Sequence, residues 1–169
     1  MNVGIRKWRT DDAEDLAKAM NNKNIHDNLR DGIPFPYAVS DAQAFISDML
    51  GAERDKTYSW AITLDDIVVG SVGVFREDNV HRLTGEIGYW LAQEHWGKGA
   101  ITQAIKLACR YIFEQTDIVR IFALPFDFNA ASCRALEKTG FVCEGILRKN
   151  AIKNGEIVDA CMYAIIRED

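Results

Sequence analysis

The hydrophobic residues of this chain change their spacing near Thr57, and this change constrains the fold more than any other feature. Before it, apolar residues recur with a helical period at positions 13, 16, 17 and 20, and again at 42, 45, 46, 49 and 50. Thr10-Asp11-Asp12 and Ser40-Asp41 precede these two runs and are typical of helix starts. The first third of the chain is therefore predicted to form two helices, each with one buried face.

After Thr57 the sequence becomes rich in β-branched and aromatic residues. Residues 58–64 and 67–75 predict a hairpin, with Asp65-Asp66 as its tight turn. Further strands are predicted at 5–8, 82–91, 119–124, 141–147 and 157–166, and helices at 99–115 and 130–139. The order β-α-α-β-β-β-α-β-α-β-β predicts an α+β (α/β layered) domain, in which a mixed sheet carries helices on its faces.

Length and charge narrow the class of protein. The 169 residues suit one domain spanning 1–169, and no repeat or linker divides them. No run of apolar residues is long enough for a membrane span, and the N-terminus lacks the pattern of a signal peptide. The net charge of −5 disfavours nucleic acid as a partner. We therefore expect a cytoplasmic protein that binds neither membranes nor nucleic acid, as a monomer or a homodimer.

The cysteines and histidines do not follow the spacing of metal ligands. The four cysteines contain no Cys-x-x-Cys pair, and the three histidines are far apart in the sequence. Reduced thiols in a cytosolic protein explain the cysteines best, and no metal is expected.

A glycine-containing turn joins a predicted strand to a predicted helix. The strand ending at Leu91 leads into Trp96-Gly97-Lys98-Gly99, and the helix follows directly. Glycines let a ligand approach the backbone, and the free amides at a helix start favour a pyrophosphate. The alternative is that the two glycines only tighten the loop. The turn matches neither the P-loop nor the dinucleotide fingerprint.

A second group of motifs follows thirty residues later and completes a recognisable set. Its parts are Asn129-x-x-Ser132, Leu136-Glu137-Lys138-x-Gly140-Phe141 and Glu144-Gly145, together with Pro34-Phe35-Pro36-Tyr37 upstream and Asp159 and Tyr163 downstream. In this order, with the glycine turn, they resemble the GNAT superfamily of acetyltransferases. The closer likeness is to the branch of ribosomal-protein N-terminal (alanine/serine) acetyltransferases, and it implies a GNAT-like mixed, mostly antiparallel twisted sheet with helices on both faces.

The resemblance implies acetyl-CoA as cosubstrate and assigns residues to it. Backbone amides would hold the pyrophosphate, a strand edge and Asn129 would pair with the pantetheine arm, Ser132 would lie near the sulfur, and Arg134 could meet the adenosine phosphate. The implied coenzyme-binding residues are Trp90, Leu91, Gln93, Gly97, Lys98, Gly99, Ala100, Ile101, Thr102, Asn129, Ser132 and Arg134. The chain departs from the superfamily pattern where Trp96 replaces a polar residue and Ile101 a small one, but backbone donors would be retained.

Three side chains are candidates for the chemistry of acetyl transfer. Glu86 lies inside a predicted strand on the face of Gly88 and Trp90, so it is either a base with a raised pKa or half of a structural ion pair. Ser132 and Tyr163 are candidates to protonate the leaving thiolate, although each also suits a structural role. Backbone amides within 89–91 could stabilise the oxygen of the thioester.

The acceptor is expected to be a primary amine, either a protein N-terminal α-amine or a small-molecule amine. Some enzymes of the branch place a glutamate where this chain has Ala151. With few bases available, an α-amine is the easier acceptor, because neutralising it at pH 7 costs on the order of 1 kcal/mol, against about 4.6 for a lysine. The expected function is direct acetyl transfer, and the alternative is a non-catalytic coenzyme A-binding sensor or interaction module.

Overall fold

One twisted sheet, flanked by helices, organises the chain. The computed structural model describes residues 2–169. The strands are β1 (Val3–Arg6), β2 (Thr57–Leu64), β3 (Ile67–Arg76), β4 (Thr84–Leu91), β5 (Arg120–Ala123), β6 (Val142–Lys153) and β7 (Glu156–Ile166). The helices are α1 (Ala13–Met20), α2 (Lys23–His26), α3 (Val39–Gly51), α4 (Ala100–Gln115) and α5 (Ala130–Lys138).

The seven strands lie in the order β1-β2-β3-β4-β5-β7-β6. All neighbours are antiparallel except β4 and β5, which run parallel. The predicted α+β fold, with a mixed and mostly antiparallel sheet, is therefore confirmed. None of the helices within residues 2–169 is long and apolar enough to cross a membrane.

Each face of the sheet has its own hydrophobic core. Helices α4 and α5 pack on one face, where the small residues Ala104 and Ala108 let α4 approach the strands closely. Helices α1 and α3 pack on the other face through Leu16 and Ile46, which are almost fully buried. Along β2, Ile62 belongs to the first core and Ala61 to the second, because alternate strand residues point to opposite faces. Helices thus cover both faces, as predicted.

Strand β1 and helix α3 begin at other residues than the sequence predicts. The first strand lies at Val3–Arg6 rather than 5–8, and Thr10–Asp12 forms a 3₁₀ turn whose Asp12 carboxylate accepts the Arg9 amide at 2.8 Å. Helix α3 begins after Ala38, whose amide is bound by the Asp41 carboxylate at 2.8 Å. The prediction that Ser40-Asp41 precedes this helix was wrong, because the helix begins two residues earlier than Asp41. Asp41 is its third residue, and its side chain reaches back to the amide of the N-cap residue Ala38.

Strand β6 is longer than the pattern predicts. It continues to Lys153, six residues beyond the predicted end at 147, and its register shifts between Leu147 and Ala151. At this bulge Lys149 adopts a positive φ of 54°, and the Asp159 carboxylate on β7 accepts its amide at 2.7 Å. A bulge breaks the alternation on which sequence prediction of strands depends.

Strands β4 and β5 pair over only three residues and then separate. The paired positions run from Thr84 with Arg120 to Glu86 with Phe122, whereas β4 continues for five more residues to Leu91. The second half of β4 therefore has one edge bonded to β3 and one edge without a strand partner. This split in the sheet positions the candidate site.

Replacing Gly70 with alanine tests how closely β3 and β4 must approach. A Cβ at Gly70 would lie 2.4 Å from the Trp90 carbonyl oxygen, a backbone atom that cannot turn away. We expect Gly70→Ala to lower the free energy of unfolding by about 1–3 kcal/mol, as overpacking does. Denaturant unfolding followed by circular dichroism measures the change.

Gly51→Ala is the matched control, because nothing lies within 4 Å of a Cβ at this last residue of α3. We expect it to be neutral or to stabilise the fold by up to about 1 kcal/mol. Equal stability of the two variants would show that the approach at Gly70 relaxes without cost.

Candidate functional site

A cavity of about 1220 Å³ opens where β4 and β5 separate. Tyr89 and Ser132 line it on the face covered by α4 and α5, and Glu86, Tyr37 and Phe45 line it on the face covered by α1 and α3. The cavity thus passes through the sheet. Two molecules entering from opposite faces could meet at the split.

The free edge of β4 presents backbone hydrogen-bonding groups to this cavity. The Leu83 carbonyl accepts the Arg120 amide from the β5 side, and every second residue after it faces the same way. Tyr89 and Leu91 consequently turn their backbone groups towards the split, beyond the last β4–β5 pair. The indole Nε1 of Trp96 donates to the Leu91 carbonyl at 2.7 Å and so fixes the end of the strand. An extended ligand could add here as a short strand.

The turn after β4 has the conformation of an anion site. Gly97 and Gly99 have φ values of 73° and 81°, which side chains rarely adopt, and nothing lies within 4 Å of a Cβ at either position. Gly99 is the N-cap of the 16-residue helix α4, and its carbonyl accepts the Gln103 amide at 3.1 Å. The amides of residues 100–102 therefore have no partner within the helix and point outwards with the positive end of the helix dipole.

The structure brings most of the predicted coenzyme residues to the cavity and leaves two at its margin. The cavity wall includes Trp90, Leu91, Gly97, Gly99, Ala100, Ile101, Thr102, Asn129, Ser132 and Arg134. Gln93 and Lys98 are not part of that wall. The side-chain oxygen Oε1 of Gln93 accepts hydrogen bonds from Nδ2 of Asn22 and of Asn24 at 2.8 and 3.0 Å. Lys98 Nζ donates to the backbone carbonyl of Glu94 at 2.7 Å.

The first turn of α5 carries a hydrogen-bonded pair of hydroxyl groups. The Asn129 side chain caps the helix by accepting the Ser132 amide at 3.2 Å. The Ser132 hydroxyl lies 2.6 Å from that of Tyr89. Burial raises the pKa of Tyr89 well above its usual value, so this phenol stays protonated. Ser132 thus faces the cavity with a neutral hydroxyl beside it.

Glu86 is both a cavity residue and a member of an ion pair. Its side chain is 22% exposed and pairs with the Arg30 guanidinium, which reaches it from the segment after α2. Burial raises the pKa of Glu86, and the neighbouring Glu77 raises it further, whereas Arg30 opposes the shift. The predicted ion pair is therefore present, and the raised pKa belongs to the same carboxylate, whereas the role of Glu86 as a base stays a prediction.

Tyr163 lies apart from the cavity. It is buried in β7, and its hydroxyl donates to the Glu137 carboxylate at 2.8 Å. This placement favours Ser132 over Tyr163 as the group nearest a reacting atom. The sequence pattern did not separate the two, because both are polar residues in regular elements.

Arg30 is the site residue that the sequence analysis missed. An isolated arginine between a short helix and a proline-containing turn carries no recognisable signal, and its partner is 56 positions away. Within residues 2–169 there is also no cluster of three metal-ligating side chains.

The site thus combines a split sheet, a free strand edge and a helix start with open glycines, an arrangement suited to a ligand with an extended arm and a phosphate group. Known proteins identify the family. The Acetyltransferase (GNAT) domain family matches residues 2–142. The chain therefore belongs to the GNAT family of N-acetyltransferases, as predicted.

Individual relatives agree with this assignment. A probable N-acetyltransferase of Bacillus subtilis, YjcK, is 39% identical over 69% of this chain and 66% of its own length, just under two thirds. The putative ribosomal N-acetyltransferase YdaF of the same organism is 28% identical over 99% of this chain and 92% of its own. The structure of the microcin C7 self-immunity acetyltransferase MccE, in complex with acetyl-CoA and AMP, superimposes with a TM-score of 0.84 at 26% identity, covering 98% of this chain and 92% of that one.

Ser132→Ala and Tyr163→Phe should separate the two candidate hydroxyl groups. Ser132 lies in the cavity, so we expect its loss to lower kcat about 10²-fold, within the range typical of acid–base groups. Tyr163→Phe removes only the hydrogen bond to Glu137, so we expect the free energy of unfolding to fall by about 0.5–1.5 kcal/mol with kcat nearly unchanged. Thiol release from acetyl-CoA and denaturant unfolding measure the two effects. The reverse pattern would reassign the proton donor to Tyr163.

Proposed function

We propose that this protein transfers the acetyl group of acetyl-CoA directly to a primary amine, either the α-amine of a protein N-terminus or an amine of a small molecule. The observation that carries the proposal is the cavity through the sheet, which joins a coenzyme-sized groove to a carboxylate on the opposite face. Membership of the GNAT family and the ligands named for the MccE structure support acetyl-CoA as the donor.

The groove suits the coenzyme on chemical grounds. A pyrophosphate needs several converging N–H groups, and the turn at 97–99 with the start of α4 provides them without side chains. An amide-containing arm needs a partner with alternating donors and acceptors, which the free edge of β4 supplies. Arg134 and Lys138 line the same cavity and would offset further phosphate charge. The replacement of the usual small residue by Ile101 leaves these backbone donors in place.

The edge of β4 also suits the reacting thioester. Acetyl transfer places negative charge on the thioester oxygen, and a fixed backbone amide stabilises that charge without reorganising. The amides of Tyr89 and Leu91 face the split, and the Trp96 hydrogen bond holds this part of the strand in place. We assign the oxygen to one of these two amides.

Glu86 and Ser132 would move the protons. An ammonium group cannot attack a thioester, so the acceptor must first lose a proton, and Glu86 is the carboxylate in the cavity wall at the centre of the sheet. The new nitrogen–carbon bond forms as the carbon–sulfur bond breaks, and the departing sulfur takes a proton. Ser132, which is hydrogen-bonded to Tyr89, can share its hydroxyl proton with that sulfur.

Gly99→Val tests the coenzyme assignment. A branched side chain at a φ of 81° strains the turn and covers the amides at the start of α4. We expect the affinity for acetyl-CoA, measured by calorimetry, to fall at least about tenfold.

The control is Gly155→Val, because Gly155 has a nearly equal φ of 80° and open space, yet lies at the β6–β7 turn outside the cavity wall. It carries similar strain without blocking the groove, so its affinity should match the wild type. Equal losses in both variants would attribute the effect to backbone strain and remove the phosphate assignment.

Glu86→Gln tests the base. The carboxylate must be ionised to accept a proton, and burial raises its pKa, so the wild-type rate should fall as the pH drops through that raised pKa. The variant should lose about 10²–10⁴ in kcat/KM near neutral pH and recover partly at high pH, where the free amine is already neutral. Its affinity for acetyl-CoA should change little.

Glu114→Gln, on the exposed side of α4, removes a carboxylate remote from the cavity and should keep the wild-type pH–rate profile. A Glu86→Gln enzyme with that same profile but a lower Tm would mean that Glu86 serves only its ion pair. Binding of acetyl-CoA without thiol release to any amine would instead support a non-catalytic coenzyme A-binding module.

A further inference from the structure

The acceptor side of the cavity contains two opposite charges that neutralise each other. Arg30 is 72% exposed, and among residues 2–169 its guanidinium forms a hydrogen bond only to Glu86. Glu86 is 22% exposed and lies deeper in the wall. Water already surrounds most of the guanidinium and weakens its attraction to the carboxylate, so an incoming ligand can take the place of either partner.

The backbone around Arg30 is anchored on both sides. Lys153 Nζ, whose side chain is 9% exposed, binds the Asp31 carboxylate at 3.0 Å. The side-chain Nδ2 of Asn154 donates to the Asp27 carboxylate at 3.1 Å. Both contacts join this segment to the β6–β7 hairpin. The guanidinium can therefore turn away from Glu86 while remaining at the mouth of the cavity.

Apolar side chains line the same side of the cavity as this charged pair. Ile25, Leu29, Tyr37 and Phe45 line the cavity on the same face of the sheet. The wall also includes Asp31, which pairs with Lys153, and the α3 residues Asp41 and Asp48, of which Asp41 accepts the Ala38 amide. The acceptor side thus combines the Arg30–Glu86 pair, further carboxylates and an apolar surface.

We propose that the acceptor is a small zwitterion of the α-amino acid class with an apolar side chain. Its ammonium group replaces Arg30 as the partner of Glu86, and its carboxylate replaces Glu86 as the partner of Arg30. The apolar side chain lies against the surface formed by Leu29, Tyr37 and Phe45. This inference rests on the proposed acetyl transfer and specifies its acceptor.

The internal ion pair shows why a zwitterion fits better than a plain amine or a peptide. An amine without a carboxylate takes the carboxylate of Glu86 and leaves Arg30 without an anion, so it gains one charged contact and breaks another. A zwitterion replaces both halves of the pair. Once bound, its ammonium loses a proton to Glu86, its nitrogen bonds to the acetyl carbon as the carbon–sulfur bond breaks, and the sulfur takes a proton.

The test compares leucine with leucinamide, which lacks the carboxylate but keeps the same side chain. Arg30→Gln should lower kcat/KM for leucine about tenfold or more, mainly through KM, and lower that for leucinamide much less. Each acceptor is compared with itself in the wild-type and Arg30→Gln enzymes, so the different amine pKa values of leucine and leucinamide do not affect the comparison. Arg30→Lys keeps the charge and should recover part of the preference. Arg54→Gln, an exposed arginine outside the cavity, should change neither value.

Calorimetry gives a readout that does not need turnover. Leucine, methionine or phenylalanine should bind the wild-type enzyme saturated with coenzyme A, and Arg30→Gln should weaken that binding about tenfold. Binding by none of the three, or an equal effect of Arg30→Gln on leucine and leucinamide, would overturn the zwitterion inference. Acetylation of leucinamide or of a peptide N-terminus as fast as leucine would do so too, while leaving acetyl transfer intact. If acetyl-CoA binds and no amine releases thiol, the proposed function itself fails.

Discussion

The separation of β4 from β5 is the constraint on which the rest of the site depends. Parallel pairing over three residues holds the two strands together as far as Glu86, and their divergence after it exposes a backbone edge in the middle of the sheet. An edge within a sheet is normally a liability because its amides and carbonyls need partners. Here the edge borders a cavity, so its unpaired groups become recognition groups for an extended ligand.

The two faces of the sheet divide the chemistry between them. The face under α4 and α5 provides Ser132, Tyr89 and the helix start suited to phosphate, whereas the other face provides Glu86 and Arg30. Such a division suits direct transfer, because each partner can enter from its own side and meet the other at the split. In the proposed acetyl transfer, a proton would leave the acceptor on one side and reach the sulfur on the other.

Much of the fold and of the cavity wall could be predicted because their signals are local. Helix α4, the turn at Gly97 and Gly99, and the cap of α5 by Asn129 each depend on residues within a few positions of one another. The limits of the prediction were also local: the Asp41 cap acts from within its helix, and the bulge in β6 interrupts the alternation of its side chains.

The sequence by itself therefore determined the family, the position of the glycine turn and the order of the strands and long helices, because hydrophobic period, glycine conformation and helix capping act over short distances along the chain. Only the tertiary structure decided which polar groups meet. Ser132 could be paired with Tyr89, and Glu86 with Arg30, only once the sheet and the segment after α2 were in place. The physical reason is that such contacts join residues 43 and 56 positions apart, and no periodicity in the sequence encodes them.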